Sequence, residues 1–426
     1  MTIKNFISAF LKRQGHFIFL SSMLVKLIAL LTSVFVVRLL DKDAYGYIVY
    51  AMTIMAFFTP FSGLGVQHAL LRYGAIQDRI VDKFNLYYDS IRRVLLYTIP
   101  LVLLIILASP VISMRLPGSK AYIIILSFML LTMPLYQIYN VLMRIINRNK
   151  AYAASSMIYT LTAFIISVCA AYFLSAKAYA WGLVIAPFIV FLLISRRWIG
   201  QTFSKLSQGF DIKSVSQSEY VKYGIYVGLG SIASQMVLLM DNLLVGNIIA
   251  DSEALAVYRV GAIIPLNLLF IPGLFFQVDF VKLASEYKNK AYLVQYIKNY
   301  WKLFLILSIL LLAPLYLLAD NLVIYLFTDD YSESVPVFRL LIIAVLGGFL
   351  FRTPFGNILQ AVGKSQWNAY NAYFMLAFNF ILTWHLTFNY GIIGAAFASA
   401  IAFWLSGIIG ALLFSKYLRT LNNKLN

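Results

Sequence analysis

The feature that most constrains this chain is a series of long apolar runs separated by short polar turns. Twelve runs can be counted: 17–40, 45–66, 94–112, 121–143, 152–174, 179–194, 223–249, 254–277, 303–327, 335–360, 369–386 and 392–414. A helix needs ~20 apolar residues to cross the hydrocarbon core of a bilayer. Of the 426 residues, 62% are hydrophobic and only 12% are charged, against ~25% charged in an ordinary soluble domain. A water-soluble fold has nowhere to bury that much apolar surface. Backbone inside lipid must satisfy its own hydrogen bonds, so the runs are expected to be helices. The ~10-residue alternating segments of a membrane barrel are missing. The expected fold class is therefore all-α, a polytopic membrane protein with twelve transmembrane helices.

The basic residues Lys4, Lys12 and Arg13 precede the first run. That run is too long for the apolar region of a secretory signal, and no small-residue cleavage site follows it, so it is read as an uncleaved first span. The net charge of +18 raises the question of nucleic acid, but the distribution of charge answers it. With the amino terminus inside, the inner segments carry 25 of the 34 lysines and arginines, the outer turns carry 4, and five lie within the spans. Such a bias orients the chain with both termini cytoplasmic. It places the excess charge against anionic lipid headgroups, so nucleic acid is not an expected partner and membrane lipid is. The longest connection between spans, 196–222, is too short for a folded domain, and 278–301 is expected to form an amphipathic surface helix.

A weak repeat divides the chain. Asn140-Val-Leu-Met, closing the fourth run, matches Asn357-Ile-Leu-Gln, closing the tenth; both lead into a short basic loop. Asp43-Ala-Tyr-Gly, before the second run, matches Glu253-Ala-Leu-Ala, before the eighth. The offsets are close to half the chain, which gives six plus six helices: an amino-terminal lobe over 1–200, a linker over 201–222 and a carboxyl-terminal lobe over 223–426.

The cations within the spans carry the strongest functional signal. Lys26 and Arg352 fall in the inner halves of runs one and ten. Arg38, Arg259 and Arg339 fall toward the outer ends of runs one, eight and ten. Asp241, in run seven, is the lone intramembrane acid. A charge at bilayer depth is costly and faces a partner, a cavity or, near an end, the interface. Asp241 can pair with Arg259 or Arg339, or carry a coupling proton. The surplus of cations suits an anionic substrate such as a diphosphate. On run seven, Tyr223, Gly230, Ser234 and Asp241 share one helical face, as do Ser22, Lys26 and Ser33 on run one. The small residues among them fit a cavity or close helix packing equally well. Pro60, Pro134, Pro187, Pro265, Pro272, Pro314 and Pro354 interrupt spans and permit kinks, and Gly347-Gly348 lies close to Pro354.

Other chemistry finds little support. Asp41-Lys42-Asp43 resembles a metal–nucleotide acidic pair but lies on an outer turn and reads as a solvated helix start, and Asp329-Asp330 reads likewise. Three histidines and the single Cys169, read as a small core-facing thiol, give no metal-ligand cluster. No Gly-rich phosphate loop supports direct use of ATP, and no nucleophile–base pair stands out. No metal and no cofactor are expected.

Arg38-Leu-Leu-Asp-Lys-Asp-Ala-Tyr-Gly-Tyr, followed by Gly63-Leu-Gly and then Arg72-Tyr, resembles the first hairpin of the polysaccharide exporters of the multidrug/oligosaccharidyl-lipid/polysaccharide (MOP) flippase superfamily. The basic loop after Asn140 and the Val362-Gly-Lys loop after Asn357 are similar to that family as well. Within it the chain looks most like the Wzx-type O-antigen flippases, which have twelve helices in two lobes. The resemblance implies a central cationic cavity and ion-coupled alternating access in a bacterial inner membrane. It implies an undecaprenyl-diphosphate-linked oligosaccharide as substrate, with the O-antigen polymerase and chain-length regulator as neighbours. Only the hairpin is carried over residue by residue; Lys26, Arg38, Arg259, Arg339, Arg352 and Asp241 stand on the charge argument. Two other readings compete. A drug/cation antiporter of the same superfamily should offer acids to its substrate, and a membrane polymerase or ligase acting on the same lipid should carry a large outer loop.

Overall fold

A computed structural model describes residues 15–146, 148–195 and 217–422. Among them every regular element is helical, as expected where no water is at hand to take up backbone hydrogen bonds. Nine helices among the described residues are long and apolar enough to cross a membrane. One of these, Ser365–Leu421, covers two predicted runs. It breaks at Gly391 (φ 60°, ψ −142°), and a Cβ on Gly394 would lie 2.0 Å from the Leu386 carbonyl oxygen. In a straight helix eight residues span ~12 Å, so the chain folds back on itself here. The helices Gly15–Leu39 and Gln217–Ile248 cover the first and seventh runs. The arrangement is compatible with twelve crossings.

The contacts divide the chain into two compact units. One is Leu27–Glu253; the other joins the described residues up to Lys26 to those from Ala254 onward. This division differs from the repeat-based one. It falls within the first helix, and it places 217–248 with the helices of the first half.

The first unit holds most of α1 (Gly15–Leu39), α2 (Lys42–Phe58), a 3-10 segment (Thr59–Gly65) and α3 (Val66–Ile76). It continues with α4 (Ile80–Ile112), α5 (Lys120–Ser127), α6 (Met129–Ile145), α7 (Asn149–Phe173), α8 (Ala176–Ser195) and α9 (Gln217–Ile248). Its core is aromatic and aliphatic: Leu70, Leu86, Tyr87, Ile138, Leu142 and Tyr220 are at most 2% exposed. α9 packs along α2, the 3-10 segment and α3, and α7 packs on α8. Only 17% of the apolar window of α7 is buried, so this helix lies at the surface of the unit. Cys169 lies on that exposed surface. The core-facing thiol expected from the sequence is corrected, because an apolar neighbourhood in a membrane protein can be the lipid side.

The second unit comprises α10 (Ser252–Leu268, from Ala254 onward), α11 (Phe270–Ser285), α12 (Lys290–Leu317), α13 (Ala319–Phe327) and a 3-10 turn (Asp329–Ser334). It ends with α14 (Val335–Gly347), a π-turn (Gly348–Arg352), α15 (Thr353–Ala361) and α16 (Ser365–Asn422). The helix 329–361 is the interior one, with 67% of its apolar window buried; α16 packs on α14, the π-turn and α15.

The surface helix expected over 278–301 is not a separate element. The break falls at 286–289, where the Asn289 side chain accepts from the Tyr292 amide and caps α12. Beside it Lys282 donates to Glu286 at 2.7 Å and holds that carboxyl below the ordinary carboxylate range. The stripe Leu293, Tyr296, Ile297 and Tyr300, at most 5% exposed, faces protein and not a membrane surface. The predicted run 303–327 is likewise divided, after Leu317, into α12 and α13.

Candidate functional site

Several membrane helices are interrupted, and two of the interruptions, one in each unit, carry much of the polar chemistry. In the first unit the break separates α2 from α3. Gly63, Leu64 and Gly65 take successive positive φ values of 63°, 48° and 70°. The left-handed region is open to glycine and strained for leucine. Backbone groups freed by such a break are costly unless they find partners. Here the Gly63 amide donates to Thr98 Oγ1 at 3.0 Å, and Ser62 Oγ donates to the Leu130 carbonyl at 2.6 Å. Ser62 and Thr98 are buried. Gly65 also meets α9 backbone: a Cβ there would lie 2.1 Å from the Gly224 carbonyl oxygen.

The Gly63-Leu-Gly and Arg72-Tyr motifs of the hairpin thereby acquire a structural reason. The break turns α3 so that exposed Arg72 lies over the Tyr223 ring, 4.6 Å from its centroid. Tyr73 packs on Tyr220 and Tyr223. Below them Arg93 Nε donates to Asp89 Oδ2 at 2.6 Å, and Ser90 shares a 2.7 Å hydrogen bond with the Tyr220 hydroxyl. Tyr223 therefore belongs to this aromatic cluster.

In the second unit the break is the π-turn between α14 and α15. A π-turn inserts an extra residue into the helical ladder and leaves carbonyls without their usual partners. Two α12 side chains supply them: the Tyr300 hydroxyl donates to the Phe349 carbonyl at 2.7 Å, and Trp301 Nε1 donates to the Leu350 carbonyl at 2.7 Å. From α16, Trp404 Nε1 donates to the Ile343 carbonyl at 2.9 Å. Pro354, at the start of α15, explains the stop, since its ring clashes with an incoming helical turn. The last residue of the π-turn is Arg352. It is half-buried, and its guanidinium lies 4.4 Å from the Phe403 ring centroid. No carboxylate pairs with it among the described residues. A desolvated cation over an aromatic face gains up to ~2 kcal/mol, less than a buried charge loses on leaving water.

The other candidates have varied surroundings. Lys26 and Arg38 are exposed, and Arg259 is half-buried on α10. Arg339 Nη2 donates to Asp320 Oδ2 at 2.5 Å and its Nε to the Tyr316 carbonyl at 3.4 Å. The acid found beside Arg339 is thus Asp320, on a neighbouring helix and within the run 303–327. Asp241, read as the lone intramembrane acid and as a partner for Arg259 or Arg339 or a proton carrier, is therefore not the lone acid of the predicted runs. Asp241 is buried, 5% exposed. Ser33 is turned back on its own helix, donating to the Ala29 carbonyl at 3.1 Å. The side chains of Ser22, Gly230 and Ser234 lie outside the described residues. Among the described residues no group of histidine, cysteine and carboxylate side chains could hold a metal ion.

The two repeat-related turns meet. Lys42 Nζ lies 3.3 Å from Glu253 Oε2, Ser252 Oγ donates to Asp43 Oδ1, and Gly46 abuts the Ser252 carbonyl so closely that any Cβ would collide with it. The acidic turn read as merely solvated is a latch between the start of α2 and the start of α10.

With this geometry in hand, comparison with known proteins is informative. The family described as "Polysaccharide biosynthesis protein" matches residues 35–336. The fold is similar to the lipid II flippase MurJ in an inward closed conformation (TM-score 0.75, 16% identity, covering 94% of this chain and 89% of that one). It is also similar to an inward-facing multidrug resistance MATE family transporter of the MOP superfamily (TM-score 0.72, 15% identity, 94% and 96%). A MOP superfamily transporter from Pyrococcus furiosus gives 0.64 at 15% identity over 99% and 97%. Comparison with curated protein sequences gives no match. The chain is a member of the polysaccharide biosynthesis protein family, built on the multi-pass membrane fold that MurJ and the MATE transporters share.

Proposed function

We propose that this protein moves an undecaprenyl-diphosphate-linked oligosaccharide, an O-antigen repeat unit, from the cytoplasmic to the periplasmic leaflet of a bacterial inner membrane. The observation that carries the reading is Arg352, a half-buried cation held by a helical break with no carboxylate beside it among the described residues. Arginine meets a diphosphate through forked, charge-assisted hydrogen bonds. Lys26, exposed on α1, offers a second cation as a point charge, and Arg259 a third. Arg38, near the outer end of the same helix, belongs to the release side. Both termini are cytoplasmic in this reading, on the 25-to-4 bias of basic residues. The latch of Lys42 with Glu253 and Asp43 with Ser252 then lies on the outer side and opens on release. Buried Asp241 is the candidate for proton coupling, and the polymerase and chain-length regulator act next on the product.

A drug/cation antiporter is disfavoured, because Asp241 in run seven is 5% exposed while Lys26 and Arg38 are exposed. A polymerase or ligase is disfavoured by the short outer turns. One experiment separates all three. In a strain lacking the protein, the complete lipid-linked unit accumulates in the cytoplasmic leaflet with its glycan unaltered. A change in glycan length or attachment would instead mark an enzyme, and an unchanged leaflet distribution would end the flippase reading.

A further inference from the structure

The second unit carries a groove of about 440 Å³ between α12 and α14. Its floor is buried: Ser308, Leu312, Ile342 and Leu350 are 3–8% exposed. Its walls, among them Leu305, Ile309, Leu317 and Ile343, are 39–72% exposed, so it opens on an apolar surface of this unit. From Leu305 to Leu317 it follows α12 for ~18 Å at ~1.5 Å per residue. That is close to the ~15 Å hydrocarbon depth of one leaflet. The lining is apolar to its Leu317 end, and a charged pair lies just beyond it. Tyr316 lines the groove, and the Arg339 guanidinium lies 5.8 Å from its ring centroid. Arg339 and Asp320 are paired and partly exposed, at 36% and 56% of their side-chain surface.

We infer that this groove is a binding site for one acyl chain of a zwitterionic, amine-bearing phospholipid. Its phosphate meets Arg339 and its ammonium meets Asp320. The length argues for a chain that ends at mid-bilayer. The charges argue for the headgroup: a phosphoethanolamine carries one phosphate and one ammonium, matching a paired guanidinium and carboxylate group for group. The bonds to Asp320 and the Tyr316 carbonyl leave further guanidinium N–H donors for the phosphate. A purely anionic headgroup is opposed by its surroundings. The 3-10 turn that packs on α13 brings exposed Asp329, Asp330 and Glu333 to the same end as Asp320. A quaternary headgroup lacks the N–H donors that a carboxylate accepts. The site depends neither on membrane orientation nor on the flippase reading.

The test is native mass spectrometry of the purified full chain, released from nanodiscs of phosphatidylethanolamine, phosphatidylglycerol and phosphatidylcholine in equal parts. The wild type should retain phosphatidylethanolamine about tenfold over either competitor, as one charge-assisted contact would give. Ser308→Leu fills the floor with apolar volume and should abolish retention. Should that variant fail to fold, Ile343→Trp blocks the groove from its exposed wall and should do the same. Asp320→Asn should keep a bound lipid but lose the preference over phosphatidylcholine. Equal retention of phosphatidylglycerol overturns the inference. So does retention unchanged in the groove-filling variant, or displacement of the phospholipid by an added polyprenyl diphosphate.

Discussion

Two interrupted helices, one in each unit, solve one problem in opposite ways. The break between α2 and α3 is set by its own backbone: three left-handed residues turn the chain, and one buried hydroxyl, Thr98 of α4, accepts from the freed Gly63 amide. The break between α14 and α15 is held from outside, by hydrogen bonds that α12 lends through Tyr300 and Trp301. The first leaves no room for another geometry. The second depends on two side chains of another helix, and it ends in a cation. A joint pinned by its own backbone suits a scaffold, whereas a joint held by borrowed donors suits a part that handles substrate.

Substitutions can break this comparison. Gly65→Ala should have the largest effect on folding. It adds a Cβ 2.1 Å from a backbone oxygen at a φ of 70°, where nothing flexible can yield. A loss above ~3 kcal/mol, read as absence of folded protein on size exclusion, is expected. Trp301→Phe removes one donor from the Leu350 carbonyl and should cost ~1–3 kcal/mol, seen as a lower melting temperature with protein still folded. If Trp301→Phe were as damaging as Gly65→Ala, the two joints would not differ in kind. Glu253→Gln should have the smallest effect. Its pair with Lys42 is partly exposed, at 50% and 24% of the side-chain surface, and such pairs contribute ~0–1 kcal/mol. Its melting temperature should stay within a few degrees of the wild type.

Much of this was legible in the sequence, for identifiable reasons. Crossings announce themselves because length and apolarity are summed over twenty residues, and local errors average out. The cost of burying charge points to several ionisable residues within the runs, among them Arg352, which lies half-buried against Phe403. The Gly63-Leu-Gly motif was visible, but not that it breaks a helix, because three left-handed residues look like any apolar, glycine-bearing run. The partner of Arg339 was missed because Asp320 lies nineteen residues away on another helix. Pairing of that kind depends on where α12 ends, and the continuous apolar run 303–327 concealed that end. The aromatic donors to the π-turn were hidden as well. Tyr300 and Trp301 sit in a stretch whose charge pattern suggested a surface helix, and only tertiary packing turns them onto α14.

The account's central claim is that Arg352 meets the diphosphate of the substrate. The most direct measurement is transfer of a lipid-linked oligosaccharide between leaflets in proteoliposomes, read by accessibility of its glycan to an external lectin, at matched amounts of folded protein. A charged hydrogen bond of ~1.5–3 kcal/mol predicts that Arg352→Ala slows transfer by about 10- to 100-fold. Arg352→Lys, which keeps the charge and loses the fork, should fall between. Transfer by Arg352→Ala at the wild-type rate, or equal loss in the alanine and lysine variants, would contradict the claim.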